Sequence, residues 1–584
     1  MSTLLSAQSI HFQTSSTILF EALSFTLRKG DRIGLVGHNG CGKSTLLQLL
    51  YGSKIPSSGE ITVAKQCLME RVEQSLPQEL ENVTLMNALL AKLPEDDREQ
   101  EQWRVELLLA EIGFSEQDWG LNVGSLSGGQ HTRLLLSRAL ISQPDLLLLD
   151  EPSNHLDLPT LLWLEHFLLH WQGSFVLVSH DRRLLDKVTN CTWILRDKTL
   201  NYFQLPCSAA LTEQERVDEA ARLRNLSEQK EINRVEQSAK RLANWGRVYD
   251  NEDLARKAKT MERRVERLKE SQTELTSGTP WQLSLKGERL NANQLVTMSD
   301  LGVVPARHGP QLFSIEEQMV KSGDRIAIIG RNGCGKSSLL KMLWQHCIKV
   351  VESEGNIRFH PRCRVGFYDQ SLKQLHDDDT LIDALDTFTN VGEEARKIAL
   401  ISAGFEYSRH SQFVGDLSGG ERSRLLMLAL SLAQYHLLML DEPTNHLDLN
   451  DKEQLAATLN QFDGGILVVT HDRELIEKSC NRFWLIQDGL LTEWHDLEKL
   501  YSVIDGNSTT RTVRIGDSKS QSVDELTQQK SEQICEETLL EQLCHLETLL
   551  EEDLKRKPKH QKPNLQHQWR EEITRISQLL SLEL

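Results

Sequence analysis

Short apolar runs separated by polar turns fill the N-terminal third of the chain and return after residue 291. Runs such as Asp31–Val36 and Leu146–Leu149 lack the alternation of a half-exposed strand and predict strands buried on both faces. Helices are predicted where GKST and SGGQ end, so each region reads as α/β. Between the two regions the period changes. Ile232, Val235, Ala239 and Leu242 step by three and four, as do Leu254, Ala258, Met261, Val265 and Leu268, a narrow coiled-coil seam. A turn near Trp245–Asp253 lets these two helices pack antiparallel. A further seam at Leu539, Leu543, Leu546 and Leu550, the basic turn KRKPKHQKP (555–563), then Ile573, Ile576 and Leu580 predict a smaller hairpin. The Ser/Thr/Asp-rich GNSTTRTVRIGDSKSQS before it reads as a flexible tether.

Length and composition bound this picture. A chain of 584 residues predicts roughly three to four domains. The boundaries expected are 1–205, 206–290, 291–505, a tether at 506–524 and a helical hairpin at 525–584. No apolar run reaches the ~18 residues that span a bilayer, and MSTLLSAQSIHFQ is not a signal peptide. Ten scattered Cys without a C-x-x-C pair argue for reduced thiols in a cytoplasmic protein. A net charge of -18 disfavours coating of nucleic acid, but screening over about 8–10 Å leaves room for a local basic patch.

Comparison of the chain with itself is the most informative step. GHNGCGKST (37–45) recurs as GRNGCGKSS (330–338), and LSGGQ (126–130) as LSGGE (417–421). LLLLDEPSNHLDL (146–158) recurs as LLMLDEPTNHLDL (437–449), and LVSHDR (177–182) as VVTHDR (468–473). The offset is 293 positions at Lys43/Lys336 and 291 at Glu151/Glu442 and His180/His471. Four motifs in one order, nearly in register, mean two copies of one domain.

The pattern G-x-x-x-x-G-K-[ST] turns backbone N–H groups inward around phosphate oxygens and places a helix N-terminus beneath them. Gly37, Asn39, Gly40, Gly42 and Thr45 in the first loop, with Gly330, Asn332, Gly333, Gly335 and Ser338 in the second, are the expected cradle. Lys43 and Lys336 are expected on the β- and γ-phosphates, and the hydroxyls of Ser44 and Ser337 on Mg²⁺. Asp150 and Asp441 end apolar strands, where a carboxylate holds the metal. Glu151 and Glu442 come next, placed to polarise the attacking water or accept its proton. His180 and His471, each followed by Asp-Arg, are candidate γ-phosphate sensors; a lone His is more often structural, but this context is duplicated. Gln74 and Gln370 fall between loop and signature and are candidates for ordering metal and water.

Taken together, the phosphate loop, LSGGQ/LSGGE, LDEP and the switch His resemble the ATP-binding cassette ATPases. That resemblance implies ATP clamped between the phosphate loop of one cassette and the signature of the other. One site then pairs Lys43, Gln74, Glu151 and His180 with Ser418, Gly419 and Gly420. The second pairs Lys336, Gln370, Glu442 and His471 with Ser127, Gly128 and Gly129, and both are expected to hydrolyse ATP. NHLDL after DEP[ST], two cassettes in one chain and a charged helical linker are similar to the ABC-F proteins over residues 1–505. The fold implied is α/β: two tandem ABC-type P-loop ATPase domains joined by an α-helical hairpin linker, with a C-terminal coiled-coil extension. Also implied is a monomer with ATP as its only small-molecule substrate, acting on the ribosome near the exit tRNA site. In this family the linker reaches toward the large-subunit rRNA and peptidyl tRNA, and members serve as translation factors or protect ribosomes from antibiotics.

Departures from the pattern matter. Phe12 is placed where the family stacks an aromatic on adenine, and LVTMSDLGVVPARHGP in the second copy offers none. Glu421 stands in for Gln130 in the second signature, and the first cassette has no long arm insertion. The linker from Lys230 to Lys269 carries 12 Lys/Arg against 7 Asp/Glu. Arg241, Arg247, Arg256, Lys257 and Lys259 are candidates for RNA phosphates, with Trp245 for base stacking. The plainer alternative is a solvated coiled-coil face with an aromatic plugging its turn. Two rival functions remain: the fused ATPase engine of an importer, and a DNA-repair ATPase. No Cys/His cluster with zinc spacing supports the second.

Overall fold

The computed structural model describes the chain apart from residues 1, 15–16, 73–75, 127, 155, 249–255, 257–258, 262, 268–284, 286, 291–293, 306–308, 349–355, 390, 446 and 510–584. Met1–Thr509 form one compact unit. The expected C-terminal hairpin therefore lies outside the described residues, as do Gln74, Ser127 and Lys257. The first residues assigned to the tether are helical instead, because the helix Leu497–Thr509 runs through them.

Each half is built on a central parallel sheet. In the first, the strands Met69–Val72, Leu146–Asp150, Ser174–Val178, Arg32–Val36, Cys191–Arg196 and Thr199–Phe203 lie side by side in that order. The strand that reads LLLLD is buried at every residue, as the unbroken apolar run requires of a sheet covered on both faces. Thr3–Gln13, Ile18–Arg28 and Ser58–Val63 form a separate antiparallel sheet. In the second half the same elements merge into one nine-stranded sheet, through the pairing of Ser314 with Leu490. Trp193 and Trp484, 291 positions apart, are fully buried in equivalent strands.

The linker starts as a 42-residue helix, Cys207–Val248, roughly 60 Å long at 1.5 Å per residue. It passes through Trp245, so the first part of the predicted turn is helical. Gly246 costs about 1 kcal/mol in a helix interior and does not stop it. Ile232, Ala239 and Val265 of the predicted seam are buried, and Leu254, Ala258 and Leu268 lie outside the described residues. Contacts with the second half resume at Leu285, buried in its core, and at Glu288, whose N–H donates to the Tyr435 carbonyl at 3.0 Å.

The halves also exchange side chains. Leu158, first residue of the helix Leu158–His170, joins the apolar core of the second half. Leu449, first residue of the helix Leu449–Asn460, joins that of the first. The final Leu of each NHLDL is thus a knob in the opposite cassette.

Candidate nucleotide site

The strands Arg32–Val36 and Arg325–Gly330 feed the phosphate loops, and the helices Lys43–Leu50 and Lys336–Ile348 leave them. Gly42 and Gly335 sit at φ +102° and +106°. There an L side chain is strained, and a Cβ would meet Phe20 or Leu312 at 2.8 Å. The Lys43 ammonium donates to the carbonyls of Gly37 (2.9 Å) and His38 (3.1 Å). Lys336 donates to Gly330 (2.8 Å) and Arg331 (2.9 Å). Both ammonium groups are therefore held inside their loops, above helix N-termini whose dipoles favour an anion.

Ser44 donates its hydroxyl to Asp150 at 3.0 Å, and Ser337 to Asp441 at 2.8 Å. These pairs link the start of the loop helix to the end of the neighbouring apolar strand. One Asp441 carboxylate oxygen is buried without a hydrogen-bond partner among the described residues, and burial pushes both aspartates up. A divalent cation suits the donors of each site, one hydroxyl at a helix N-terminus and one carboxylate at a strand end.

Glu151 and Glu442 each adopt φ near +50°, a conformation non-glycine residues hold only when their surroundings impose it. Their N–H groups donate to the last carbonyls of the adjacent strands, Val178 (3.0 Å) and Val469 (2.9 Å). His180 Nε2 lies 3.2 Å from Glu151, and His471 Nε2 3.4 Å from Glu442. The hydroxyls of Ser153 and Ser179 (2.9 Å), and of Thr444 and Thr470 (3.3 Å), tie each DEP[ST] loop to its switch loop. The two glutamates differ in charge. Burial raises Glu151, but His180, Lys43 and the Asn154 amide outweigh it and hold it at about 2. At Glu442 burial wins over Lys336 and pushes the carboxyl up to about 8. Burial also lowers both histidines, His471 to about 3, so both imidazoles are neutral near pH 7.

The opposing cassette completes one wall. His38, Asn39 and Gly40 line a cleft of about 940 Å³ with Ser418, Gly419 and Gly420. Asn332, Gly333, Lys336, Ser337, Ser338, Gln370 and both switch histidines line the same cleft. Gly128 and Gly129 do not; they begin the helix Gly128–Leu140, where a Cβ on Gly129 would meet Thr160 at 2.8 Å. The second loop meets the first cassette through another group instead, the Asn332 N–H donating to Asp157 at 3.0 Å. The counterpart contact joins His38 to Asp448 at 3.1 Å. Both aspartates also cap their helices, accepting from Thr160 (3.2 Å) and Asp451 (3.0 Å). Sequence reasoning used NHLDL as a family label and missed that its Asp reaches the opposite phosphate loop; the N-cap position was the available signal.

Other candidates fall as follows. Phe12 lies beside Phe20 (6.3 Å between centroids), under the Lys54 ammonium at 5.8 Å. Pro305 and Leu312 line the cleft by the second loop. Glu421 accepts from the Ser418 N–H (3.0 Å) and hydroxyl (2.8 Å), a capping box that a Gln in its place closes less strongly. Arg241, Arg256 and Lys259 are exposed on helical segments of the linker, and Trp245 and Arg247 lie within the first of these helices. Among the described residues no helix is long and apolar enough to cross a membrane.

Comparison with known proteins agrees with this geometry. The ABC transporter family model matches residues 20–154 and 317–445. ABC transporter F family member 2 of Arabidopsis thaliana is 30% identical over 529 residues, covering 81% of this chain and 75% of that protein. The chain belongs to the ABC-F family. Ribosome protection protein VmlR of Bacillus subtilis (strain 168) is 28% identical over 499 residues, 82% of this chain and 86% of that one. The archaeal ribosome recycling factor aABCE1, solved with the ribosomal stalk protein aP1, superposes with a TM-score of 0.59 at 18% identity, covering 90% of this chain and 98% of that one. This likeness is one of fold. As an ABC-F protein with two complete phosphate loops, the chain is a nucleotide-binding ATPase.

Proposed function

We propose that this ABC-F protein binds the ribosome near the exit tRNA site when ATP closes its cassettes, and modulates translation or protects the ribosome from antibiotics. One observation carries the reading: the first phosphate loop faces Ser418–Gly420 of the other cassette, in a chain whose linker begins as a 42-residue helix with exposed basic residues. Similarity to a protein named for ribosome protection supports the choice of partner. A fused importer engine has less support, because a basic helical hairpin between the cassettes has no task there.

Within each site the roles follow from position. Lys43 and Lys336 neutralise the terminal phosphates, and Glu151 and Glu442 orient the attacking water, which either glutamate can deprotonate once its carboxyl is ionised. His180 and His471, neutral and adjacent, hold the γ-phosphate. Mg²⁺ fits Ser44 with Asp150, and Ser337 with Asp441, with Gln74 and Gln370 as further donors; when bound it offsets phosphate charge as ATP reacts. Arg241, Arg247, Arg256, Lys257 and Lys259 meet rRNA or peptidyl tRNA phosphates, and Trp245 stacks on a base. The cytoplasm is the compartment this requires. In a cell-free translation assay, removing residues 241–253 should abolish the protein's effect and leave ATP binding intact. Equal translational effect without this segment would refute the linker's role.

A further inference from the structure

The two switch loops are anchored differently. Lys452, on the helix Leu449–Asn460 of the second cassette, donates to the backbone carbonyl of His180 in the first at 2.9 Å. The same ammonium lies 2.8 Å from Asp472. Next to His180, Asp181 receives Arg473 of the second cassette at 3.4 Å, and that guanidinium also holds Glu165 at 2.7 Å. The first switch loop is therefore gripped by two cations of the opposite cassette. Arg473 belongs to the second switch motif, so its bonds join both loops, but the lysine contact has no mirror. The residue 291 positions before Lys452 is Leu161, which lines the cleft and has no donor to offer. Among the described residues no side chain donates to the His471 carbonyl, and Asp472 takes its cation from its own cassette. Arg182, the counterpart of Arg473, reaches Glu453 (3.4 Å) and Glu474 (3.6 Å) and leaves Asp472 alone.

We infer that Lys452 is a positioning residue for the first ATP site, holding His180 at Glu151 across the interface while the cassettes are closed. The inference rests on the roles given above to the glutamates and switch histidines. Its physical basis is a charge-assisted hydrogen bond across the interface. Opening the cassettes breaks this bond to the His180 backbone, and among the described residues no equivalent bond reaches the His471 carbonyl. Hydrolysis at the first site is thereby tied to closure more tightly than at the second.

The test separates the sites. In the full-length chain, Glu442→Gln leaves turnover to the first site and Glu151→Gln leaves it to the second. Lys452→Met should lower kcat about tenfold or more in the Glu442→Gln background, with KM changed less than twofold. In the Glu151→Gln background, where the lysine's partner is Asp472 of its own cassette, kcat should fall by a clearly smaller factor. Lys452→Arg should restore at least half of the lost rate. Equal losses in both backgrounds, or no loss in the first, would overturn the inference. Lys452→Gln serves as the second variant if Lys452→Met does not fold. A double Glu151→Gln/Glu442→Gln chain that still turns over at the wild-type rate would refute the glutamate assignment instead. Amide exchange tests the tether whatever the glutamates do: Lys452→Met should speed exchange over residues 178–183 more than over 469–474, where it removes an ion pair within one cassette. Unchanged exchange over 178–183 overturns the inference by itself.

Discussion

Glu151 and Glu442 occupy the same place in two copies of one motif, yet burial and partners give them different charge. Each is held at positive φ by a bond to the next strand, so a substitution that keeps the side-chain shape should leave the backbone intact. Glu151→Gln or Glu442→Gln alone should roughly halve steady-state ATP turnover. Both together should lower it by ~10²-fold or more, the usual worth of a general base; release of phosphate from radiolabelled ATP reads this. Arg473 and Glu165, exposed by only 3% and 5%, form a buried pair between the cassettes. Removing one partner of such a pair costs about 3–5 kcal/mol, so Arg473→Met should lower the urea midpoint measurably. Burial raises the Glu165 carboxyl, but Lys187 and Arg473 outweigh it and hold it below its ordinary value. Its contribution is therefore complete above about pH 4.3, the unperturbed glutamate value, and lost as pH falls through the lower folded value. Unfolding titrations between pH 7 and pH 3 should show this loss in the wild type and not in Glu165→Gln.

At the scale of elements, the helices that follow NHLD do two jobs. Asp157 and Asp448 cap them and touch the opposite phosphate loops, while Leu158 and Leu449 plug the opposite cores. Replacing a buried Leu by Ala costs about 2–5 kcal/mol where the cavity cannot collapse. Leu158→Ala, at a site 1% exposed, should cost more than Leu449→Ala at 9%, read by differential scanning calorimetry. The elements were largely legible in the sequence, because four repeated motifs mark strand ends and helix starts. The contacts between cassettes were not. Lys452 sits on a largely polar helix and Glu165 is a lone carboxylate in an apolar one, and only the apposition of the halves supplies their partners His180 and Arg473. Likewise the first linker helix overruns its predicted turn, because one Gly in a strongly helical stretch is a weak stop signal. Gly129 faces Thr160 of its own cassette, a packing that motif spacing does not encode.

Across the whole molecule, duplication supplies two similar halves, and the interface makes them unequal. In the first cassette Phe12 lies beside Phe20, whereas Pro305 and Leu312 line the cleft by the second loop. Arg473 joins both switch loops across the interface, but only the first has a backbone carbonyl held by a lysine of the opposite cassette. Such an asymmetric engine suits a factor that must bind its target on ATP closure and release it on hydrolysis. The central claim is ATP-gated docking on the ribosome, and sedimentation tests it most directly. Lysate containing the Glu151→Gln/Glu442→Gln chain is layered on sucrose with ATP and Mg²⁺, and with ADP as the control. The chain should travel with ribosomal particles with ATP and stay at the top with ADP. A chain that remains at the top under both conditions would contradict the account.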